Sequence, residues 1–359
     1  GTQSFYPLLG KGDLNMPQAI NEALTWETTT TYNVGLDWGV LNQRLSGSLD
    51  LYYRKTTDLL NTAPVLAGTN FDNVVPQNIG SLENKGVEAT ISWKAIQSKD
   101  WYWTLDYNIT YNKNKITELV NSNSTPIETG DGAHSGTGTK VRAYAVGQSS
   151  TAFYVYQQAY DSNGKAIEGA IVDRNGDGRI TSDDRTVIGS PLPKFFGGWN
   201  HTLTYRNVDL SLFMQFSQGG KAFYSDVGLD LESTLGQSIT RETFRRTWTP
   251  ERRDALFPRL VYGQYSSYNA KTNDRMIYST SYLRMKNITL TYRLPKAALR
   301  LVGVQSASVF AMVTNLFPLT AWPGLDPELV GSGIHRGQGN DADPYPLSRT
   351  VSFGVHLQF

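Results

Sequence analysis

Val351-Ser352-Phe353-Gly354-Val355-His356-Leu357-Gln358-Phe359 is the stretch whose reading decides the fold. Val351, Phe353, Val355, Leu357 and Phe359 alternate with Ser352, Gly354, His356 and Gln358. Successive side chains of a β-strand point to opposite faces, so this period of two gives one apolar and one polar face. A soluble sandwich would need a second layer to cover the apolar face. A transmembrane β-barrel needs that face bare, because it meets lipid while the other face meets a polar lumen. The aromatic after the alternating run suits the closing strand of an outer-membrane barrel.

The same pattern recurs upstream in pairs. Tyr32, Val34, Leu36, Trp38 and Val40 alternate with Asn33, Gly35, Asp37 and Gly39, and Asn42-Gln43-Arg44 turns the chain into Leu45, Leu49, Leu51 and Tyr53. Val87, Ala89, Ile91 and Trp93 pair across residues 97–100 with Trp101, Trp103, Leu105, Tyr107, Ile109 and Tyr111. Trp199, Leu203 and Tyr205 turn at Arg206-Asn207 into Val208, Leu210, Leu212, Met214 and Phe216. Ile288, Leu290 and Tyr292 pair across residues 295–303 with Ala307, Val309, Ala311 and Val313, and a slip of the alternation near residues 284–287 predicts a bulge. Runs joined by a few polar residues read as hairpins.

Between the hairpins lie long excursions, at about 57–84, 113–193, 219–277 and 315–346. Short turns and long loops therefore alternate, as they do in outer-membrane barrels with periplasmic turns and extracellular loops. Four hairpins and the last strand predict about nine antiparallel membrane strands, the first and last both descending. That parity leaves no room for residues 152–160 as a further spanning strand, so they fall in an external excursion. A short helix is expected at residues 239–248, stopped by Pro250. Nine is odd, and closed bacterial barrels have an even number of strands. The chain therefore reads as part of a larger barrel, with residues 1–24 an extracellular loop remnant and residues 25–359 the barrel part.

Composition narrows the alternatives. The net charge of +1 gives no basic field for nucleic acid, and the absence of cysteine excludes disulfide and thiolate chemistry. No run of about eighteen apolar residues exists, so the sequence has no transmembrane helix. A barrel signal is dispersed over short alternating segments and is untouched by that absence.

Six segments, in collinear order over most of the chain, resemble the SusC-like TonB-dependent outer-membrane transporters. They are Trp26-Glu27-Thr28-Thr29 with Asn33-Val34-Gly35-Leu36-Asp37; Asn84-Lys85-Gly86-Val87-Glu88; residues 173–191; residues 281–290, Ser-Tyr-Leu-Arg-Met-Lys-Asn-Ile-Thr-Leu; Asn315-Leu316-Phe317 with Gly324-Leu325-Asp326-Pro327-Glu328; and Tyr345-Pro346 with Arg349-Thr350. The resemblance implies the C-terminal part of a 22-stranded barrel in the outer membrane of a Gram-negative bacterium. It further implies import of oligosaccharides or peptides, with a SusD-like surface lipoprotein as lid. The plug, the TonB-contacting segment and the early strands are expected outside these residues. The rival reading is a secreted or surface all-β glycan-binding module braced by calcium.

The sharpest local motif is Asp173-Arg174-Asn175-Gly176-Asp177-Gly178-Arg179-Ile180-Thr181-Ser182-Asp183-Asp184. It fits a twelve-residue calcium loop, with oxygen donors at positions one, three and five, glycine at six and an acid at twelve. Asp173, Asn175, Asp177 and Asp184 would offer side-chain oxygens, Arg179 its carbonyl, and Thr181 an oxygen directly or through water. The bland alternative is a surface turn built on Asn-Gly and Asp-Gly. Calcium is the expected structural ion.

Trp38, Trp93, Trp101, Trp103, Tyr107, Tyr111, Trp199 and Tyr205 fall on the apolar strand faces and predict aromatic girdles rather than a sugar platform. Loop aromatics are not placed by lipid. Tyr262, Tyr265, Tyr268 and Trp322 are therefore candidates for ligand or lid contact, with Phe71, Tyr154 and Tyr156 beside them, against the alternative that they pack the loops together. His134, His201, His335 and His356 show no metal-ligand spacing. The glycine-rich residues 130–140 do not make a phosphate loop, because Thr139 separates Gly138 from Lys140. No nucleophile elbow is present, and nothing in the sequence argues for an enzyme.

Overall fold

The computed structural model of the chain describes residues 21–64, 74–120, 126–132, 140–224, 239, 241–259, 272–299, 303–330 and 346–359, with the backbone of three further short strands, Phe5–Tyr6, Leu14–Asn15 and Ile334–His335. Nine long strands, β1 Thr28–Val40, β2 Leu45–Thr57, β3 Gly80–Gln97, β4 Trp101–Leu119, β5 Phe195–Tyr205, β6 Val208–Gln218, β7 Tyr282–Arg293, β8 Ser306–Thr314 and β9 Thr350–Gln358, form one antiparallel sheet. Each pairs with its neighbours in sequence, so the sheet is a simple meander. Among the described residues β1 and β9 are each paired along one edge only. Over the described residues the sheet is therefore an open wall rather than a closed barrel.

Register shows why the alternation of the sequence is the fold. Leu36, Leu49, Ala89, Ile109, Gly197, Phe216 and Leu283 stand in one row across seven strands. One residue along, Asp37, Ser48, Thr90, Asn108, Gly198, Gln215 and Arg284 make the matching row of the other face. A slip by one residue in any pair would put polar side chains among aliphatics, and across β1 to β4 it would put carboxylates there, so the pattern fixes the pairing. On the polar face, short side chains bond across strands: Ser48 to Thr90 at 2.7 Å, Ser92 to Asp106 at 2.6 Å and Thr204 to Asp209 at 2.7 Å.

The turns fall where the sequence puts them. Residues 41–44 join β1 to β2, with Leu41, Asn42 and Gln43 all left-handed at φ 54, 56 and 61°. Residues 98–100 and 206–207 are equally tight, and residues 294–305 enclose the short helix α1, Lys296–Leu299. The anticipated bulge is present. The β6–β7 register shifts between Phe213 and Met214, which pair with Asn287 and Met285, and Lys286 is the extra residue. Gly47 faces Trp38 across β1 and β2; a Cβ there would come within 2.7 Å of the indole and 2.2 Å of the Thr90 carbonyl oxygen. Glycine makes the room that the tryptophan lies in.

Two features depart from the sequence reading. First, β3 and β4 continue well past the apolar band, to Gly80 and Leu119, where loops were expected. The extension is held by a small core of its own, in which Ile79, Ile116 and Leu119 pack with Leu59, Ile127 and Tyr144. Second, the largest buried cluster lies outside the wall. It joins Val141, Phe153 and Val155 to Ala222, Phe223, Tyr224, Phe257 and Met276, and to Trp322 and Val330. Three different excursions thus share one core at the long-loop end. Tyr154–Val155 and Gln158–Tyr160 are short strands of this platform, as strand parity requires, and the expected helix is Arg241–Arg246.

Candidate functional site

The site of a barrel wall is a surface, and here it has two parts: the polar face of the sheet and the loop platform above it. The polar face carries Asp37, Asp50, Glu88 and Asp106 on β1 to β4, set among Ser46, Ser48, Thr90, Ser92 and Asn108. These short hydroxyls, amides and carboxylates leave the face open and wettable. The apolar face carries all eight of the expected girdle aromatics. Trp101 and Tyr205 lie 4.2 Å apart at the short-turn end, while Tyr107, Trp199 and Phe216 meet at 5.8–6.4 Å toward the long loops. His201 stands on the apolar face beside Trp103, and His356 on the polar face opposite Ser308.

The platform is built by exchange of strands between excursions. Lys221–Tyr224 pairs antiparallel with Ile277–Ser279 and parallel with Ile334–His335, which ties the third excursion to the fourth. Trp322 lies in the core of this assembly, 5% exposed, edge-on to Tyr224 and Tyr278. That corrects its expected role at a ligand or lid: an indole packed on both sides has no face to offer. Tyr154 is also buried, with the Arg185 guanidinium 4.6 Å above its ring. Phe71, Tyr262, Tyr265, Tyr268 and His134 lie outside the described residues.

A polar network missed by sequence reasoning stiffens the same platform. Gln158 donates to the Ile167 carbonyl at 2.7 Å, accepts from Arg275 at 3.1 Å, and its backbone N–H donates to Asp274 at 2.9 Å. Burial pushes the Arg275 guanidinium down to about 10 and the Asp274 carboxyl up. No local motif marks these residues, which come from excursions more than a hundred positions apart.

A second network explains two motifs at once. Arg284, on the polar face of β7, donates to Asp326 at 2.7 Å and holds Glu328 at 3.3 Å through Nε, close in charge but not aligned as a hydrogen bond. Lys286, the bulge residue, pairs with the other oxygen of Glu328. Asp326 also caps the 3₁₀ turn Pro327–Leu329 by accepting the Glu328 N–H at 3.0 Å. Segments 281–290 and 315–328 are therefore partners, and the strap between β8 and β9 is tied down over the polar face.

Residues 173–184 form a tight, self-bonded loop. Asp173 accepts the N–H groups of Gly176 and Gly178 at 2.7 and 2.8 Å, Asn175 that of Asp177 at 3.0 Å, and Asp177 that of Arg179 at 2.7 Å. Asp184 is fully buried and takes the amides of Arg174 and Thr181, at 2.8 and 2.7 Å, on its two oxygens. Thr181 caps the 3₁₀ turn Ser182–Asp184. The amide of Thr181, with those of Arg174 and Asn175, holds the Asp184 carboxyl below its usual range. Among the described residues no three His, Cys, Asp or Glu side chains are grouped as a ready cation cage. The position-twelve acid is committed to amides, so an ion would draw on Asp173, Asn175, Asp177 and the Arg179 carbonyl.

Asp184→Ala should open this loop. The depressed carboxyl contributes stability that is present above the unfolded-state value and lost as pH falls through the folded one, so acid should mimic the substitution. Protease cutting within residues 173–184, compared at neutral and acid pH, reads both effects. Equal resistance of the variant and the parent would show that the buried carboxylate is not the brace.

Comparison with known proteins agrees with this architecture. The family model described as TonB dependent receptor-like, beta-barrel, matches residues 2–316. The chain is 40% identical over 348 residues to the TonB-dependent receptor SusC of Bacteroides thetaiotaomicron, covering 96% of this chain and 33% of that protein. It is 30% identical to the TonB-dependent receptor P3 of Formosa agariphila, covering 99% of this chain and 37% of that one. Among solved structures, the RagAB peptide transporter superposes over 100% of this chain and 38% of its own, at 25% identity and a TM-score of 0.77. The chain thus spans about a third of the length of the curated relatives it matches. It belongs to the TonB-dependent receptor β-barrel family, as a SusC-like portion of an outer-membrane barrel of a Gram-negative bacterium.

Proposed function

We propose that these residues supply wall, lumen lining and external loops to a 22-stranded importer that carries oligosaccharides or peptides across the outer membrane, powered through TonB and covered by a SusD-like lipoprotein. The observation that carries the reading is the sheet itself: one face carries the apolar rows, and the other, over β1 to β4, is lined with hydroxyls, amides and carboxylates. Such a lining suits a cargo rich in hydroxyl or amide groups. The names of the relatives point the same way, SusC being a TonB-dependent receptor and RagAB a peptide transporter. In this reading the short turns face the periplasm, the platform faces outward, and the plug comes from residues beyond these. A secreted binding module leaves the apolar face without a purpose and is not favoured. The family match is to a receptor barrel, and the reading is transport.

The test is uptake by cells carrying the assembled receptor, with and without TonB. Accumulation of labelled oligosaccharide or oligopeptide should fall to the level of a receptor deletion when TonB is removed. Uptake that persists unchanged would sink the transporter reading. We also propose calcium as a brace at residues 173–184, held by Asp173, Asn175, Asp177 and the Arg179 carbonyl. Calcium should then protect the loop from protease in the parent and fail to do so in Asp177→Ala, with the barrel intact in both. Identical cutting in calcium and in chelator would leave the loop a self-bonded turn.

A further inference from the structure

At the short-turn end, on the polar face of β7 to β9, lies a cavity of about 470 Å³. Register makes its floor: Arg293, Ser308 and His356 stand in one row across the three strands. The turn after β7 makes its side, running through Pro295 into α1 and back to the sheet at Gln305. Both ends of that turn are pinned. Leu294 donates its N–H to the Ala307 carbonyl at 2.8 Å, and Gln305 donates to the Gln358 carbonyl at 2.8 Å. Pro295 and Leu299 add an apolar wall to the hydroxyl and amide groups beside them.

Charge in the cavity has one sign. Among the described residues its lining includes Arg206, Arg293 and Lys296 and no carboxylate. Arg206 pairs with Asp100 at 3.4 Å and Arg293 with Asp209 at 2.9 Å, both acids lying outside the lining. Arg293 engages only Nη2, on Asp209 and on the Arg206 carbonyl at 3.1 Å. Lys296 is exposed and makes no ion pair among the described residues. A concavity lined by one sign of charge focuses the field and draws an anion to it.

We infer that this cavity seats an acidic segment of the receptor's own plug, with a carboxylate at Lys296 and an aliphatic neighbour on Pro295 and Leu299. Three observations choose the occupant. The floor residues Arg293, Ser308 and His356 are on the polar face, which lipid does not reach. The unpaired ammonium calls for an anion, and the hydroxyls, amides and apolar wall around it match a peptide, which carries all three kinds of group. These residues span about a third of the length of the matched relatives, so chain enough to fill a lumen lies beyond them. The inference rests on the reading of this sheet as the wall of a plugged barrel, with the short turns at the periplasmic mouth.

The test is carbodiimide coupling in the full-length receptor, since this reagent joins an amine to a carboxylate only where the two touch. Peptide mass spectrometry should find Lys296 joined to an Asp or Glu of the plug. Lys296→Glu should speed protease cutting of the plug about tenfold. Replacing the coupled plug acid by lysine in that background should restore protection, which a merely structural Lys296 would not allow. Heat-modifiable mobility checks that each variant still forms a barrel. Plug acids coupled to other barrel lysines but not to Lys296 would overturn the site and leave the plugged barrel standing. Coupling of Lys296 to a separate protein, a phospholipid held by the parent and lost in Lys296→Glu, or a charge swap without rescue would also overturn it. No coupling between plug and barrel anywhere would remove the site and the plugged-barrel reading together.

Discussion

Arg284→Met is expected to cost about 3–5 kcal/mol of local stability, read where the strap at residues 318–330 meets β7. The side chain of Arg284 is 2% exposed and those of Asp326 and Glu328 are 4% and 12% exposed. Removing the guanidinium leaves two carboxylates in a place with little water, where among the described residues Lys286, beside Glu328, is the one cation still paired with them. Deleting one partner of a buried pair costs more than the pair is worth, because the survivor stays desolvated and uncompensated. The companion experiment follows from the same argument. Arg284→Met combined with Asp326→Asn and Glu328→Gln should recover much of the loss, since no unpaired carboxylate remains and the Lys286 side chain, 19% exposed, keeps contact with water. Amide hydrogen exchange across residues 318–330 measures it, and each loss of about 1.4 kcal/mol appears as roughly tenfold faster exchange if local opening controls the rate. Unchanged protection in the single variant would mean that Trp322 and the core beneath it hold the strap alone. A triple variant no better than the single would mean that the charges contribute by geometry and not by compensating one another.

That network also marks the limit of what the sequence could disclose. The nine strands, the four turns and the bulge were legible because each rests on a local rule: period two, a polar turn, a slipped alternation. The ends of β3 and β4 were not, because Asn112-Lys113-Asn114-Lys115 carries no apolar member to continue the pattern, and what holds it is Ile116 packing on residues from other excursions. Arg284 and Lys286 were visible as charges on an inner strand face, and Asp326 and Glu328 as acids in a loop. Their pairing depends on Pro318–Thr320 extending the β8 edge, which no periodicity records. Trp322 shows the opposite error. A loop tryptophan looked free to bind, but three excursions close around it. The calcium-type spacing at residues 173–184 is a local pattern of residue types. Spacing alone does not say that Asp184 turns inward to three backbone amides instead of outward to an ion.

The second large effect tests the membrane face directly. Ile288→Arg should destabilise the barrel by about 2–4 kcal/mol, and Thr289→Arg, one residue along, by less than about 1 kcal/mol. Ile288 lies mid-strand on β7, between Leu212 of β6 and Val313 of β8, on the apolar face. An arginine there faces hydrocarbon near its centre, too far from either interface for its head to reach water cheaply. Thr289 points the other way, between Ser211 and Met312, where an arginine can extend into a wet lumen. The two substitutions add the same group to adjacent positions of one strand, so the propensity, charge and size of the incoming arginine cancel in the comparison. What remains is the face. Folded fraction in lipid, followed by heat-modifiable mobility across a denaturant series, gives both numbers. Equal penalties would mean that the two faces see the same medium, which a membrane barrel forbids; a larger penalty at Thr289 would turn the sheet inside out, with the carboxylate row of β1 to β4 facing lipid. Neither outcome could be reconciled with a wall whose apolar rows run unbroken from Leu36 to Leu283.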